Sequence, residues 1–319
     1  MQQNSNPILT GALALELLEK SLIAKPTARG TRFRYSSSFG CERAQAYAAL
    51  GAEITEPMDE SGAWATGLGT ILHELTQAEI SKRYPSARHE VTSQTGDVSG
   101  SCDSLIDVND VGTNYGGTHV LWEFKTMGGY GFDTQVGWNR MRSIFKPQGA
   151  QGPKKGHIAQ AGMNALGIER EALVKFNKWC DGAVAGPGFS AAGGPEKIRI
   201  ETIIMGAVTF EALSKQKARN MGVLGLNRFV AEFEIPREEW EPLARYELSI
   251  MEDIGEKLNH GILPDRVGRD DSGGFTDLRP LGSDWQCEYC SYRSTCLDDG
   301  DGEIMVENSV AIRSSSGEA

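Results

Sequence analysis

Apolar residues recur at helical spacing over 7–25 (PILTGALALELLEKSLIAK), and Pro26 closes the run. A basic, Ser-rich turn follows, and a second helix is predicted from about Glu42 to Leu50. A third is predicted over 67–83, where Leu68, Ile71, Leu72, Leu75 and Ile80 share one face. Alternating or apolar runs predict strands near 101–108, 119–125, 172–179 and 198–209, with a small-residue helix over 157–167. The Gly/Ala/Pro stretch 181–195 reads as a loop or insertion. A strand at 228–235 then leads to Pro236, which opens a long helix over 237–259. Helices followed by strand, strand, helix and further strands are the order of a mixed α/β sheet with flanking helices.

Composition narrows the class. With 319 residues, 39% of them hydrophobic, the chain can bury a substantial core, which excludes disorder, collagen or coiled coil as whole-chain readings. No apolar run reaches the roughly 18–20 residues that span a bilayer, and MQQNSNPILT has no basic stretch ahead of an apolar core. The expectation is a cytoplasmic protein with no membrane partner. A net charge of −11 argues against nonspecific coating of nucleic acid, but the charge is uneven. Residues 298–319 carry six acids against Arg313 and are expected to form a disordered acidic tail. Two stretches hold no acid: 21–40, with Lys25, Arg29, Arg32 and Arg34, and 134–168, with Arg140, Arg142, Lys146, Lys154 and Lys155. Basic segments beside an acidic pocket suit a polyanion held over a metal, although solvated loops share that composition.

The chemistry centres on Glu123-Phe124-Lys125. On a strand, Glu123 and Lys125 project to the same face, where a carboxylate and an ammonium can bind a metal and position a water. One Glu-x-Lys triplet is expected by chance, so its context carries the weight. Asp103 enters a predicted strand about twenty residues earlier, and antiparallel pairing would set it beside Glu123. Hard oxygen ligands of this kind select Mg²⁺ or Mn²⁺. His73 lies on the third predicted helix, and an imidazole beside two carboxylates favours Mn²⁺. Asp107 shares the face of Asp103 and is a weaker candidate. Cys287, Cys290 and Cys296 follow C-x2-C-x5-C, and three thiolates leave a site one ligand short. Cys41, at the start of a helix that would stabilise a thiolate, is the expected fourth; Cys102 and Cys180 are expected in the core. Zinc and an iron–sulfur cluster both use four thiolates and remain open at this point.

In order, the chain reads Ser38-x2-Cys41-x-Arg43-x3-Tyr47, Gly69-x3-His73, Gly100-x2-Asp103, Glu123-x-Lys125, Gln160 and Cys287-x2-Cys290-x5-Cys296. This series, spanning about 38–297, resembles the RecB-like branch of the PD-(D/E)XK nucleases. The likeness is closest to the CRISPR-associated iron–sulfur exonucleases and their bacteriophage homologues. The resemblance implies a restriction-endonuclease-like sheet with flanking helices and a C-terminal segment stapled by a 4Fe–4S cluster on Cys41, Cys287, Cys290 and Cys296. It implies one domain over 1–297: N-terminal helices with Cys41, a core at about 64–235, and a helix and cysteine segment at 236–297. His73, Asp103, Glu123 and the Phe124 carbonyl would hold Mg²⁺ or Mn²⁺, Lys125 would orient and help deprotonate the attacking water, and Gln160 would complete the site. Asn164 stands where the family usually has Tyr, and Glu42 where it often has Pro. The implied activity is a metal-dependent DNA exonuclease on single strands or duplex ends, in recombination, repair or spacer acquisition. Its partners would be DNA and proteins of recombination or CRISPR adaptation. The insertion at 127–156 interleaves Tyr130, Phe132, Trp138 and Phe145 with basic residues, a composition that stacks bases and tracks a single strand, or packs the insertion to the body. The rival readings are a non-catalytic nucleic-acid-binding iron–sulfur protein, disfavoured by the complete His73, Asp103, Glu123 and Lys125 set, and a zinc-stapled nuclease without iron.

Overall fold

The computed structural model describes residues 31–128, 132, 152–180, 196–209, 230–269, 275–277 and 285–310. The helix expected at 7–25, the loop at 181–195, and Arg140, Arg142 and Lys146 of the insertion lie outside them.

The sheet is organised around β3 (Val98–Asp107). On one side, β2 (Arg88–Thr95) pairs with it antiparallel, from Arg88 opposite Leu105 to Thr95 opposite Val98. Two strands share the other side. β1 (Phe33–Arg34) runs parallel at Val98 and Ser99, and β4 (His119–Met127) runs antiparallel from Ser104 opposite Trp122 to Asp107 opposite His119. Gly100 to Asp103 therefore face no strand on that side. β5 (Ile200–Thr209) lies parallel to β4, and β6 (Val230–Pro236) antiparallel to β5, so the six-stranded sheet is mixed. The pattern along 88–95 predicts no strand. RHEVTSQT buries only Ser93, and its backbone rather than an apolar face carries the pairing.

Helices flank the sheet: α1 (Glu42–Leu50), α2 (Glu60–Arg83), the single turn α3 (Val108–Val111), α4 (Lys155–Cys180) and α5 (Arg237–Asn259). Asp59 accepts from Gly62 N at 2.7 Å and starts α2 a full two turns before the expected position, because an N-cap outweighs the scattered glycines that follow. The strand expected at 172–179 is instead the second half of α4. The buried face of Ile158, Ala161, Ala165 and Ile168 ends at Ala172, and Leu173, Val174 and Trp179 beyond it are exposed. Gly167 does not end the helix; it lets it approach β2, since a Cβ there would stand 2.6 Å from Ser93 Oγ. Leu105 and Leu121 of the sheet, Met163 of α4, and Trp240, Met251 and Ile254 of α5 meet in the main core. Arg237 fastens the start of α5 to α4 through Glu169 at 2.7 Å and to Ile200 O at 2.8 Å.

The C-terminal part departs most from expectation. After β7 (Ile262–Leu263) come β8 (Val267–Arg269), β9 (Phe275–Asp277), α6 (Trp285–Glu288) and α7 (Arg293–Asp299). The acidic tail does not begin at 298: β10 (Ile304–Met305) pairs antiparallel with β7. Arg43 of α1, fully buried, donates to the carbonyls of Pro264 at 2.7 Å, Gly300 at 2.7 Å and Gly302. Tyr47 donates to Asp299, and Arg266 pairs with Asp301. The buried Tyr47 hydroxyl and Arg266 guanidinium partner these two acids, which is why a count of charges misreads them as solvated. Residues 311–319 lie outside the described residues. No helix among the described residues is long and apolar enough to cross a membrane.

Removing residues 298–319 should leave the Arg43 guanidinium buried with two of its three carbonyl partners gone. The expected loss is on the order of 3 kcal/mol, read as a lower denaturant midpoint. An unchanged midpoint would show that this segment does not hold α1.

Candidate functional site

The opening between β1 and β4 on β3 is where the predicted site residues meet. One step beyond the last β3–β4 pair, Asp103 stands opposite Glu123. The ladder is not continued there by backbone. Asp103 Oδ2 accepts from Phe124 N at 2.5 Å, and its Oδ1 lies 3.3 Å from His73 Nδ1 on α2. A strand residue presents N–H and C=O to the same edge, so the Phe124 carbonyl faces this opening too. Glu123 is 2% exposed. Its Oε1 accepts from Lys125 Nζ at 2.9 Å and from Gln160 Nε2 at 3.1 Å, while Lys125 Nζ also donates to Gln160 Oε1 at 3.0 Å. Its Oε2 is buried with no hydrogen-bond partner among the described residues. A carboxylate oxygen so placed is costly unless a cation meets it.

Sheet alternation and the flanking helices explain the convergence. Glu123 and Lys125 point toward α4, which supplies Gln160, whereas Trp122, Phe124 and Thr126 point toward α2. His73 meets Phe124 edge to face, with centroids 6.2 Å apart, and reaches Asp103 through the opening. A groove of about 410 Å³ lined by Ala65, Thr66, Gly69, Thr70, His73 and Thr126 runs up to it. Burial pushes the Glu123 carboxyl up to about 6, against the pull of Lys125. Burial disfavours the imidazolium of His73, but the hydrogen bond to Asp103 and its charge outweigh this and raise the pKa. A divalent ion on His73 and Asp103 would therefore compete with a proton, and its affinity would rise with pH.

Two residues of the site lie beyond the reading of the motifs. Asn164 Nδ2 donates to Ser101 O at 2.9 Å, and Gln77 Nε2 to Asp103 O at 3.2 Å. Both answer backbone carbonyls at the opening, which gives Asn164 a structural task. Their signal was weak, because amides on helices are common. Lys154 and Lys155 sit at the start of α4, close to Gln160 in sequence. A second cluster, Asp107, His119 and Glu196, places its ligand atoms within 4.8 Å of one another. Arg88 already supplies its positive charge, 3.0 Å from Glu196 and 3.1 Å from His119, and Asp107 accepts from Asn109 N at 2.8 Å. The cluster is internally satisfied.

Of the four expected thiols, Cys287 lies on α6, Cys296 on α7 and Cys290 between them. Cys41 precedes α1, and the charges of Cys296 and Cys290 both bear on it; Cys290 in turn feels Cys296 and Cys287. They are not drawn together as tightly as the Asp107 group. Arg266 Nε donates to Cys296 Sγ at 3.1 Å. The helix start does not make Cys41 an easy thiolate, as its position suggested: burial pushes the thiol up to about 12, and the N–H groups of Ala44 and Arg43 offset this only in part. A metal taking the proton's place would reverse that balance. The cysteine segment is also fastened directly, by Thr55 N to Ser291 O at 3.0 Å and Tyr47 against Tyr292 with centroids 5.5 Å apart. Cys102 is buried as expected, whereas Cys180 ends α4 exposed, because α4 replaces the predicted strand that would have covered it.

Glu123→Gln tests the electrostatics without metal. A raised carboxyl pKa favours folding fully below the ordinary value of 4.5, and that contribution is lost as pH rises through about 6. In EDTA at pH 8, Glu123→Gln should therefore be more stable than wild type by on the order of 2 kcal/mol, with no difference near pH 4. Equal denaturation midpoints at pH 8 would show that Glu123 is not strained. No protein-family model matches the sequence, and no curated protein is significantly similar to it.

Proposed function

We propose that the protein is a metal-dependent DNA nuclease with a restriction-endonuclease-like, RecB-related core, acting as an exonuclease on single strands or duplex ends. The buried, unpartnered Oε2 of Glu123, beside Asp103, His73 and the Phe124 carbonyl, is the observation that carries the reading. These groups would hold Mg²⁺ or Mn²⁺, with an imidazole favouring Mn²⁺. The ion, when bound, polarises a phosphoryl oxygen and lowers the pKa of a water. Lys125, held by Glu123 and Gln160, orients the attacking water and offsets the negative charge that builds on the phosphoryl oxygens. Asp103 keeps its place through Phe124 N, so its other oxygen stays aimed at His73. Lys154 and Lys155, at the start of α4, would meet backbone phosphates, as would Arg140, Arg142 and Lys146 of the insertion.

Digestion of end-labelled single- and double-stranded DNA with Mn²⁺, Mg²⁺ or EDTA tests the assignment. Asp103→Ala and Glu123→Ala should stay folded and lose cleavage, and Lys125→Ala should fall by roughly two to three orders of magnitude. Folded Asp103→Ala or Glu123→Ala protein with near-normal Mn²⁺-dependent activity would displace the metal site.

Cys41, Cys287, Cys290 and Cys296 would hold a 4Fe–4S cluster. The cluster would be structural, fixing α6 and α7 to α1. Anaerobically purified protein should contain iron and sulfide, with a visible absorbance lost in Cys41→Ala and kept in Cys102→Ala and Cys180→Ala. One zinc per chain without iron would replace the cluster by a zinc staple.

A further inference from the structure

The segment that delivers Cys41 also grips the first turn of α4. Ser38 Oγ donates to Gly156 O at 2.8 Å. Phe39 follows with φ of 61°, a left-handed conformation uncommon without glycine. Its N–H donates to Oε2 of the fully buried Glu247 on α5 at 2.9 Å. Gly40 O accepts from Gln45 Nε2 of α1 at 3.1 Å. Residues 38–40 are thus tied to three helices immediately before Cys41. The fit at α4 is close: a Cβ on Gly156 would stand 3.1 Å from Phe39 Cβ.

Gly156 lies four residues before Gln160, so its carbonyl is the helical acceptor of the Gln160 N–H. The Ser38 hydroxyl and the Gln160 amide therefore share one oxygen. One end of this link is the segment that carries Cys41. At the other, Gln160 clasps Lys125 and Glu123 at 3.0 and 3.1 Å. His157, between the two, lies near enough to Lys125 for that charge to act on its ring.

We propose that Ser38 is a positioning residue: through Gly156 it sets the first turn of α4 against the segment that carries Cys41, so that a filled cysteine site steadies Gln160 on Lys125 and Glu123. The catalytic consequence rests on the nuclease reading; the mechanical link does not.

Ser38→Ala, Ser38→Thr and Gly156→Ala, in the full chain with the cysteine site loaded, test it by two readouts. The first is hydrogen exchange of the amides from Ile158 to Ala161, before and after a chelator strips the site. Stripping should speed exchange about tenfold in wild type and Ser38→Thr, whereas loaded Ser38→Ala and Gly156→Ala should already exchange at the fast rate. The second is Mn²⁺-dependent cleavage. Ser38→Ala should lower kcat about tenfold at unchanged KM and iron content, and Ser38→Thr should restore it. Wild-type exchange and kcat in Ser38→Ala overturn the link, even if Lys125→Ala is inactive and the nuclease reading stands. Exchange that follows the site while wild type cleaves no DNA keeps the link and overturns the nuclease reading. Loss of iron from both Ser38→Ala and Gly156→Ala overturns the proposal, because the contact would then serve assembly of the cysteine site.

Discussion

A strand has only two edges, and β3 gives one of them to both β1 and β4. The backbone between those two contacts is left to find partners elsewhere, because buried peptide groups are rarely left unpaired. Side chains supply them: Asn164 reaches Ser101 O, Gln77 reaches Asp103 O, and the Asp103 carboxylate takes Phe124 N. Each of these polar groups is thereby fixed at one point of the sheet, with α2 on one side and α4 on the other. The candidate site is the product of that interruption. A continuous β3–β4 ladder would leave no opening through which His73 could meet Asp103.

The same region concentrates unfavourable electrostatics. Glu123 is buried with one oxygen committed to Lys125 and Gln160 and the other uncommitted. Local conflict of this sort is tolerated where function requires it and is balanced by packing elsewhere. Here the balance comes from the α4–α5 core and from the Arg237–Glu169 pair that locks the two helices. The segment that carries Cys41 is tied to the same helix α4 through Ser38 and Gly156.

Much of this was legible in residue order. The antiparallel meeting of Asp103 and Glu123 follows from period-two alternation on two short apolar strands, and Pro236 marks the start of α5. The clustering of Cys287, Cys290 and Cys296 is a spacing signal that no fold is needed to see. What escaped was set by contacts remote in sequence. β2 carries polar residues because its backbone pairs with β3, and a hydropathy pattern does not report backbone pairing. The second half of α4 has β-branched and aromatic residues, yet they extend the helix begun at Lys155 and stand largely exposed rather than buried in a sheet. Asp299 and Asp301 look like solvated tail until Tyr47 and Arg266 are placed against them.

The Arg43 guanidinium has a bearing on how the molecule is made. Its farthest partner, Gly302 O, lies 259 positions later in the chain. At ribosomal speeds of about 5–20 residues per second, α1 waits on the order of 13–50 s before that carbonyl exists. Over this interval the Arg43 cation lacks its full set of carbonyl partners, and the Tyr47 hydroxyl has no Asp299 to accept its hydrogen bond. The N-terminal layer is therefore a late-maturing part of the protein despite being synthesised early, and it is the part most exposed to holding chaperones.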